Sequence, residues 1–233
     1  MTTYYLDPED IITDFLRARL TDPRARAEAS RTENITATAG QTVITLTPTV
    51  GTAAVITGLT VNGTSKTKWQ DYYWDYQAQT IIFYTALTLS DAVAITYKQG
   101  TSNWIYSDKP DSELSTTSFP RISIFCVSAP GKRMGQYTAQ TESSPVLQID
   151  IWCKHNYVAT ISNRKYANTY LTRYFGNQII KSFEDYESDL IPVLYNYTPI
   201  SGPRVAPFSE EFQAFHTIVE VNFKTLQMGR IEV

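Results

Sequence analysis

The chain is 233 residues long, with 42% hydrophobic and 18% charged residues. That balance excludes a disordered polymer, and the length accommodates one domain or two. A formal net charge of -3 gives no general attraction for nucleic acid and leaves only a local patch for such a partner.

The N-terminal stretch MTTYYLDPED has no basic region followed by a hydrophobic one, and no apolar run is long enough to cross a bilayer, so no membrane partner is expected. The first predicted element is a helix from Pro8 to Leu20. Asp7 can cap it, Pro8 suits the first helical position, and Ile11, Ile12, Phe15 and Leu16 share one face. Arg24 to Glu33 alternates arginines and glutamates with few large apolar residues and reads as a solvated connection.

From Asn34 to Gln99 threonine, valine, isoleucine and tyrosine dominate, with turn signals at Ala39-Gly40, Asn62-Gly63 and Ser90-Asp91. This is an all-β composition. The expected strands are Ile35–Thr38, Thr42–Leu46, Ala54–Val61, Asp71–Asp75, Thr80–Phe83 and Ala92–Tyr97, spaced as in a small sandwich. Gln99 to Ser118 reads as a polar link.

Beyond it, Arg121–Val127 and Val146–Trp152 alternate as neighbouring antiparallel strands, joined by a loop holding Lys132, Arg133, Met134 and Tyr137. Apolar residues at helical spacing predict a long helix over Ala159–Lys181. Strands follow at Ile191–Tyr197 and Phe215–Leu226, separated by a loop with Pro199, Gly202, Pro203 and Pro207. The fold class is α+β: a four-stranded, mainly antiparallel sheet packed by a long helix and an N-terminal helix, with an inserted all-β sandwich-like domain. The expected domains are 1–33 with 102–233, and 34–101.

Chemistry has little to stand on. His155 and His216 lie far apart in sequence, Cys153 and His155 form a lone C-x-H pair, and a metal site needs about four ligands. No phosphate loop, dinucleotide fingerprint or nucleophile elbow occurs, so no enzyme activity, cofactor or metal is expected. Cys126 and Cys153 sit in apolar strand-like runs and read as reduced, packed thiols. Glu184, Asp185, Glu187 and Asp189 read as a solvated or inter-subunit charged face. Trp69, Tyr72, Tyr73, Trp74 and Tyr76 read either as strand packing or as exposed faces for a sugar or protein contact.

The order of elements resembles the tail-terminator, tail-completion and neck proteins at the head–tail junction of tailed bacteriophages. The matching features are the first helix with its tract LRARL, the strand opening Phe119-Pro120-Arg121-Ile122, the basic glycine-bearing loop, the strand LQIDIW, the long helix, and the last strand led by His216. The run from Asn34 to Gln99 is similar to the small β-sandwiches of phage fibres and baseplates. The resemblance implies a non-enzymatic virion protein assembled as a hexameric ring, made in the host cytoplasm. Its implied partners are copies of itself and neighbouring connector, tail-tube or sheath proteins. It also implies that Lys132, Arg133, Met134 and Tyr137 reach an adjacent ring or the channel, where DNA passes. The alternative expectation is a carbohydrate-binding or adhesion module acting through the aromatic cluster.

Overall fold

The computed structural model describes residues 7–76, 78–107, 118–133, 140–190 and 193–228. The fold is mixed α+β, rich in antiparallel strands. The chain divides into two compact units, Met1–Pro23 with Trp104–Val233 (unit 1) and Arg24–Asn103 (unit 2). The insert therefore begins about ten residues before the expected boundary.

Among the described residues unit 2 contains seven strands. β1 (Ala29–Thr36), β3 (Thr52–Val61), β4 (Thr64–Ser65) and β7 (Ala92–Gly100) form one antiparallel sheet in the order β1-β7-β3-β4. β2 (Val43–Thr45), β5 (Tyr72–Asp75) and β6 (Thr80–Phe83) form the other, in the order β2-β6-β5. Between them lies one apolar core that includes Ile44, Ile56, Leu59, Trp74, Ile81, Val93, Ile95 and Tyr97.

The tract read as a solvated connection is largely β1, which pairs along its whole length with β7, from Ala29↔Gln99 to Thr36↔Ala92. Its charged side chains are partnered, so apolar content was a poor guide. The Tyr97 hydroxyl donates to Glu33, Arg31 pairs with Glu33 at 3.4 Å, and Lys98 pairs with Glu28 at 2.7 Å. Charged residues on an edge strand also oppose pairing with other chains. At the foot of β7, Gly100 lies so close to the backbone of Arg26 that a Cβ would stand 1.9 Å from the Arg26 carbonyl oxygen. Only glycine fits there. The Asn62-Gly63 signal is a hairpin turn between β3 and β4, both residues having positive φ, as a two-residue loop requires.

In unit 1, α1 (Pro8–Arg19) starts as its sequence dictates. Asp7 accepts a hydrogen bond from the Glu9 N–H at 3.0 Å, and Ile11, Ile12, Phe15 and Leu16 are buried. Among the described residues the sheet has seven strands rather than four: β8 (Ile105–Tyr106), β9 (Arg121–Ser128), β10 (Gly131–Arg133), β11 (Gln140–Ser143), β12 (Val146–Lys154), β15 (Tyr195–Val205) and β16 (Ala214–Met228). β9 and β12 are antiparallel neighbours, with Ile149 opposite Ile124. β16 runs beside β12 and β11 on one side and β15 on the other. β8 adds to β9 in parallel, inside the expected polar link.

The expected helix over Ala159–Lys181 is corrected at both ends. β13 (Val158–Ile161) and β14 (Arg164–Ala167) form a hairpin turning at Ser162-Asn163, and α2 runs from Asn168 to Tyr186. Ser162 and Asn163 have φ of 49° and 65°, the left-handed pair of a tight hairpin turn. Ile161 and Tyr166 imitate helical spacing while belonging to facing strands. The buried stripe of α2 is Leu171, Thr172, Phe175, Gly176, Ile179 and Phe183, repeating every three to four residues against the sheet. Phe175 meets Trp104 edge-on, and Phe183 stacks on Phe15 with ring centres 5.4 Å apart. A Cβ at Gly176 would stand 2.9 Å from Pro203, so the helix approaches β15 closely at a residue without a side chain.

The strand expected over Ile191–Tyr197 is also corrected. β15 starts at Tyr195 and takes in Pro199, Gly202 and Pro203, which had read as a loop; residues 191 and 192 lie outside the described set. Proline lacks an N–H for a ladder, yet an edge strand tolerates it where that side faces away from its neighbour. Three register shifts against β16 accommodate the irregularity.

Candidate functional site

The loop between β9 and β12 is the site indicated by sequence. Part of it is a ribbon: β10 pairs with β11 antiparallel, placing Lys132 opposite Glu142 and Arg133 opposite Thr141. β11 then pairs with the far end of β16, from Gln140↔Met228 to Ser143↔Thr225. β16 is thus 15 residues long because it serves both β12 and the ribbon. Met134 and Tyr137 lie outside the described residues. At the base of the ribbon Glu142 is held by Lys224 at 3.0 Å and by the Tyr195 hydroxyl at 3.3 Å, which ties it to β16 and β15. Burial, followed by the Glu142 charge, raises the Tyr195 pKa.

The aromatic cluster is not an exposed contact face. Trp69, Tyr72 and Trp74 are buried, and Tyr73 and Tyr76 are half-buried. Tyr72 packs on Phe83, Trp69 tilts against Tyr73, and the Tyr76 hydroxyl accepts from the Asn103 amide at 2.6 Å. Alternation along β5 sends Tyr72 and Trp74 into the sandwich core, as strand geometry requires.

The other polar candidates are dispersed. Cys153 is buried and His155 exposed. His216 stacks on Trp152, ring centres 4.1 Å apart and planes nearly parallel, and burial together with the Arg204 charge lowers its pKa. Among the described residues no group of three or more His, Cys, Asp or Glu is arranged to hold a metal ion. The acidic group is split by role. Asp189 pairs with Arg19, Glu187 accepts from the Tyr197 N–H at 2.9 Å, and Glu184 and Asp185 face solvent.

The sequence reading missed a second charged group, at the opposite end of α2. Arg164 and Lys165 on β14 and Arg173 on the helix are exposed, and none forms an ion pair among the described residues. The Tyr166 and Tyr174 rings, 4.9 Å apart, hold β14 against the first turns of the helix. The signal was present in the sequence: no carboxylate occurs from Ile151 to Phe183, which carries five Lys or Arg residues. What this arrangement offers is surface: a two-stranded ribbon, an exposed basic hairpin and an acidic helix end. No family model matches the chain, and no curated protein matches it.

Proposed function

We propose that the protein is a virion structural component that forms a cyclic ring, with six copies as the expected number, at the head–tail junction or the end of the tail tube of a tailed virus. The observation that carries this reading is the ribbon β10–β11, which prolongs the sheet along the last residues of β16 and includes Lys132 and Arg133. An antiparallel sheet backed by α2, with such a ribbon at one end, suits a subunit that works by contact. Neighbouring connector, tail-tube or sheath proteins are the partners, with passing DNA as a transient one. The resemblance set out from the sequence supports the same reading, and the burial of Trp69, Tyr72 and Trp74 leaves less aromatic surface for a sugar contact.

The test is an assembly assay with Lys132→Glu combined with Arg133→Glu. The isolated subunit should stay folded while joining of tails to heads, or stacking onto tubes, falls. Unchanged joining would remove the ribbon from the mechanism, and a single copy of the chain in an imaged particle would overturn the ring.

A further inference from the structure

Charge in unit 1 is divided along α2 in the sense opposite to the helix dipole. The start of a helix carries partial positive charge and its end partial negative charge, so acids favour the first turn and bases the last. In α2 the first turn has no acid and the last turn no base, and the N-cap residue Ala167 makes no side-chain hydrogen bond. Arg164 and Lys165 lie on the strand that leads into the helix and Arg173 in its second turn, whereas Glu184 and Asp185 occupy the final turn. At the C-terminal end like sign meets like, and opposite charge from another molecule would relieve it.

Each end also exposes an aromatic side chain within its charged rim. Tyr170 is 74% exposed and Val158 52% exposed at the basic end, and Tyr186 is 48% exposed at the acidic end. Apolar and aromatic anchors inside a polar rim are the usual make-up of a protein contact. At the acidic end Arg19 is engaged by Asp189, and Lys181 stands one turn earlier on the helix. Among the described residues Lys181 forms no ion pair, and Glu184 and Asp185 still outnumber it. Asn168 and Asp185 are about 25 Å apart along the helix axis at 1.5 Å per residue, well beyond the reach of side chains within one subunit.

We propose that the basic hairpin β13–β14, with Arg164, Lys165 and Arg173, docks on the acidic end of α2, at Glu184 and Asp185, of a second copy of this chain. This rests on the ring reading above and names its subunit contact. Two different patches that meet head to tail make a heterologous interface, which closes into a ring when the rotation per subunit allows it.

The experiment is a charge swap on the full chain, read by size-exclusion chromatography with light scattering at low and high salt. One variant combines Arg164→Glu with Lys165→Glu; the other combines Glu184→Lys with Asp185→Lys. Each alone should lose self-association by about a hundredfold or more, as like charges placed face to face do. An equimolar mixture of the two should assemble again, because each then offers the charge the other needs. All four positions are exposed, and a thermal melt by circular dichroism should show both variants folded.

Wild-type assembly that persists in both variants would overturn this contact while leaving the ring reading intact. A wild-type chain that stays monomeric at every salt and concentration, and in the particle, would overturn both. Retention of duplex DNA by the wild type that is lost in the hairpin variant, with self-association unchanged, would overturn the contact and assign the hairpin to nucleic acid.

Discussion

Thr172 of α2 and Thr217 of β16 share a hydroxyl–hydroxyl hydrogen bond of 2.7 Å in the buried core of unit 1. The Thr172 hydroxyl also reaches the Thr169 carbonyl at 3.1 Å. Only one order satisfies both: Thr172 donates to the carbonyl, and Thr217 donates to Thr172. The two substitutions should therefore be unequal. Thr172→Val strands the Thr217 hydroxyl and should cost about 1–3 kcal/mol, whereas Thr217→Val leaves Thr172 partnered and should cost about 0.5–1.5 kcal/mol. The double variant should be less destabilised than the sum of the two, which urea unfolding of all four proteins will show.

Neighbouring positions on α2 should respond in opposite ways. Leu171 is fully buried, whereas its neighbour Tyr170 is exposed. Leu171→Asp buries an unpaired carboxylate and should prevent folding. Tyr170→Asp should alter stability by no more than about 0.5 kcal/mol, as surface substitutions do. Soluble yield and far-ultraviolet dichroism separate the two outcomes.

The elements legible in the sequence were those whose local chemistry and tertiary setting agree. Asp7-Pro8 starts α1, Asn62-Gly63 turns a hairpin, and the alternation of Leu147, Ile149 and Ile151 marks β12. The misread elements are those where tertiary contacts override local preference. β1 is a strand because β7 pairs with it and the Tyr97 hydroxyl holds Glu33. β15 tolerates its prolines because, among the described residues, it pairs with β16 alone. The candidate loop was legible from its glycines and basic residues, but its ribbon form depends on the far end of β16, more than 80 residues away in sequence. Aromatic residues in alternating positions do not state which face of a strand is covered, so the fate of Trp69, Tyr72 and Trp74 needed the second sheet.

The fragment Arg24–Asn103 should fold alone, since its core cluster is drawn from its own residues. At 80 residues it is large enough to sustain a core. A cooperative thermal transition of the isolated fragment is the expected result. A fragment beginning at Asn34 lacks most of β1 and should be markedly less stable, because Glu33 and its hydrogen bonds to Tyr97 and Thr47 are gone.

His216 should make stability fall in mild acid. Burial, followed by the Arg204 charge, holds its folded pKa below the ordinary 6.5. Above 6.5 the ring is neutral in both folded and unfolded chains and contributes no pH dependence. As pH drops below 6.5 the unfolded chain takes up a proton that the folded one resists, so stability declines until the folded pKa is passed. Glu9 works in the other direction, because burial raises its pKa and favours the folded chain once it is protonated. Comparing the wild type with His216→Gln at each pH isolates the histidine. Across the window below 6.5 the wild type should lose more melting temperature than the variant, and equal losses would show that His216 is not the responsible group.

Glu184 and Asp185 are expected to oppose the stability of the very subunit they help to assemble. Both stand in the last turn of α2, beside carbonyls that already carry partial negative charge. Replacing them with lysine should stabilise the separated subunit by about 0.3–1 kcal/mol per position at low ionic strength. The measurement is urea unfolding at a dilution where light scattering finds only monomer. A second readout lies close by. The Tyr197 phenol is pushed up to about 12 by burial first and then by the charges of Glu184 and Glu187. Glu184→Lys should lower that value without bringing it back to that of a free tyrosine, since burial remains, and ultraviolet titration of the phenolate will follow it. A more stable monomer that associates less is the pattern expected if these carboxylates serve the neighbour. A less stable monomer would mean that Glu184 and Asp185 support their own helix and that the charge division has a purely internal cause.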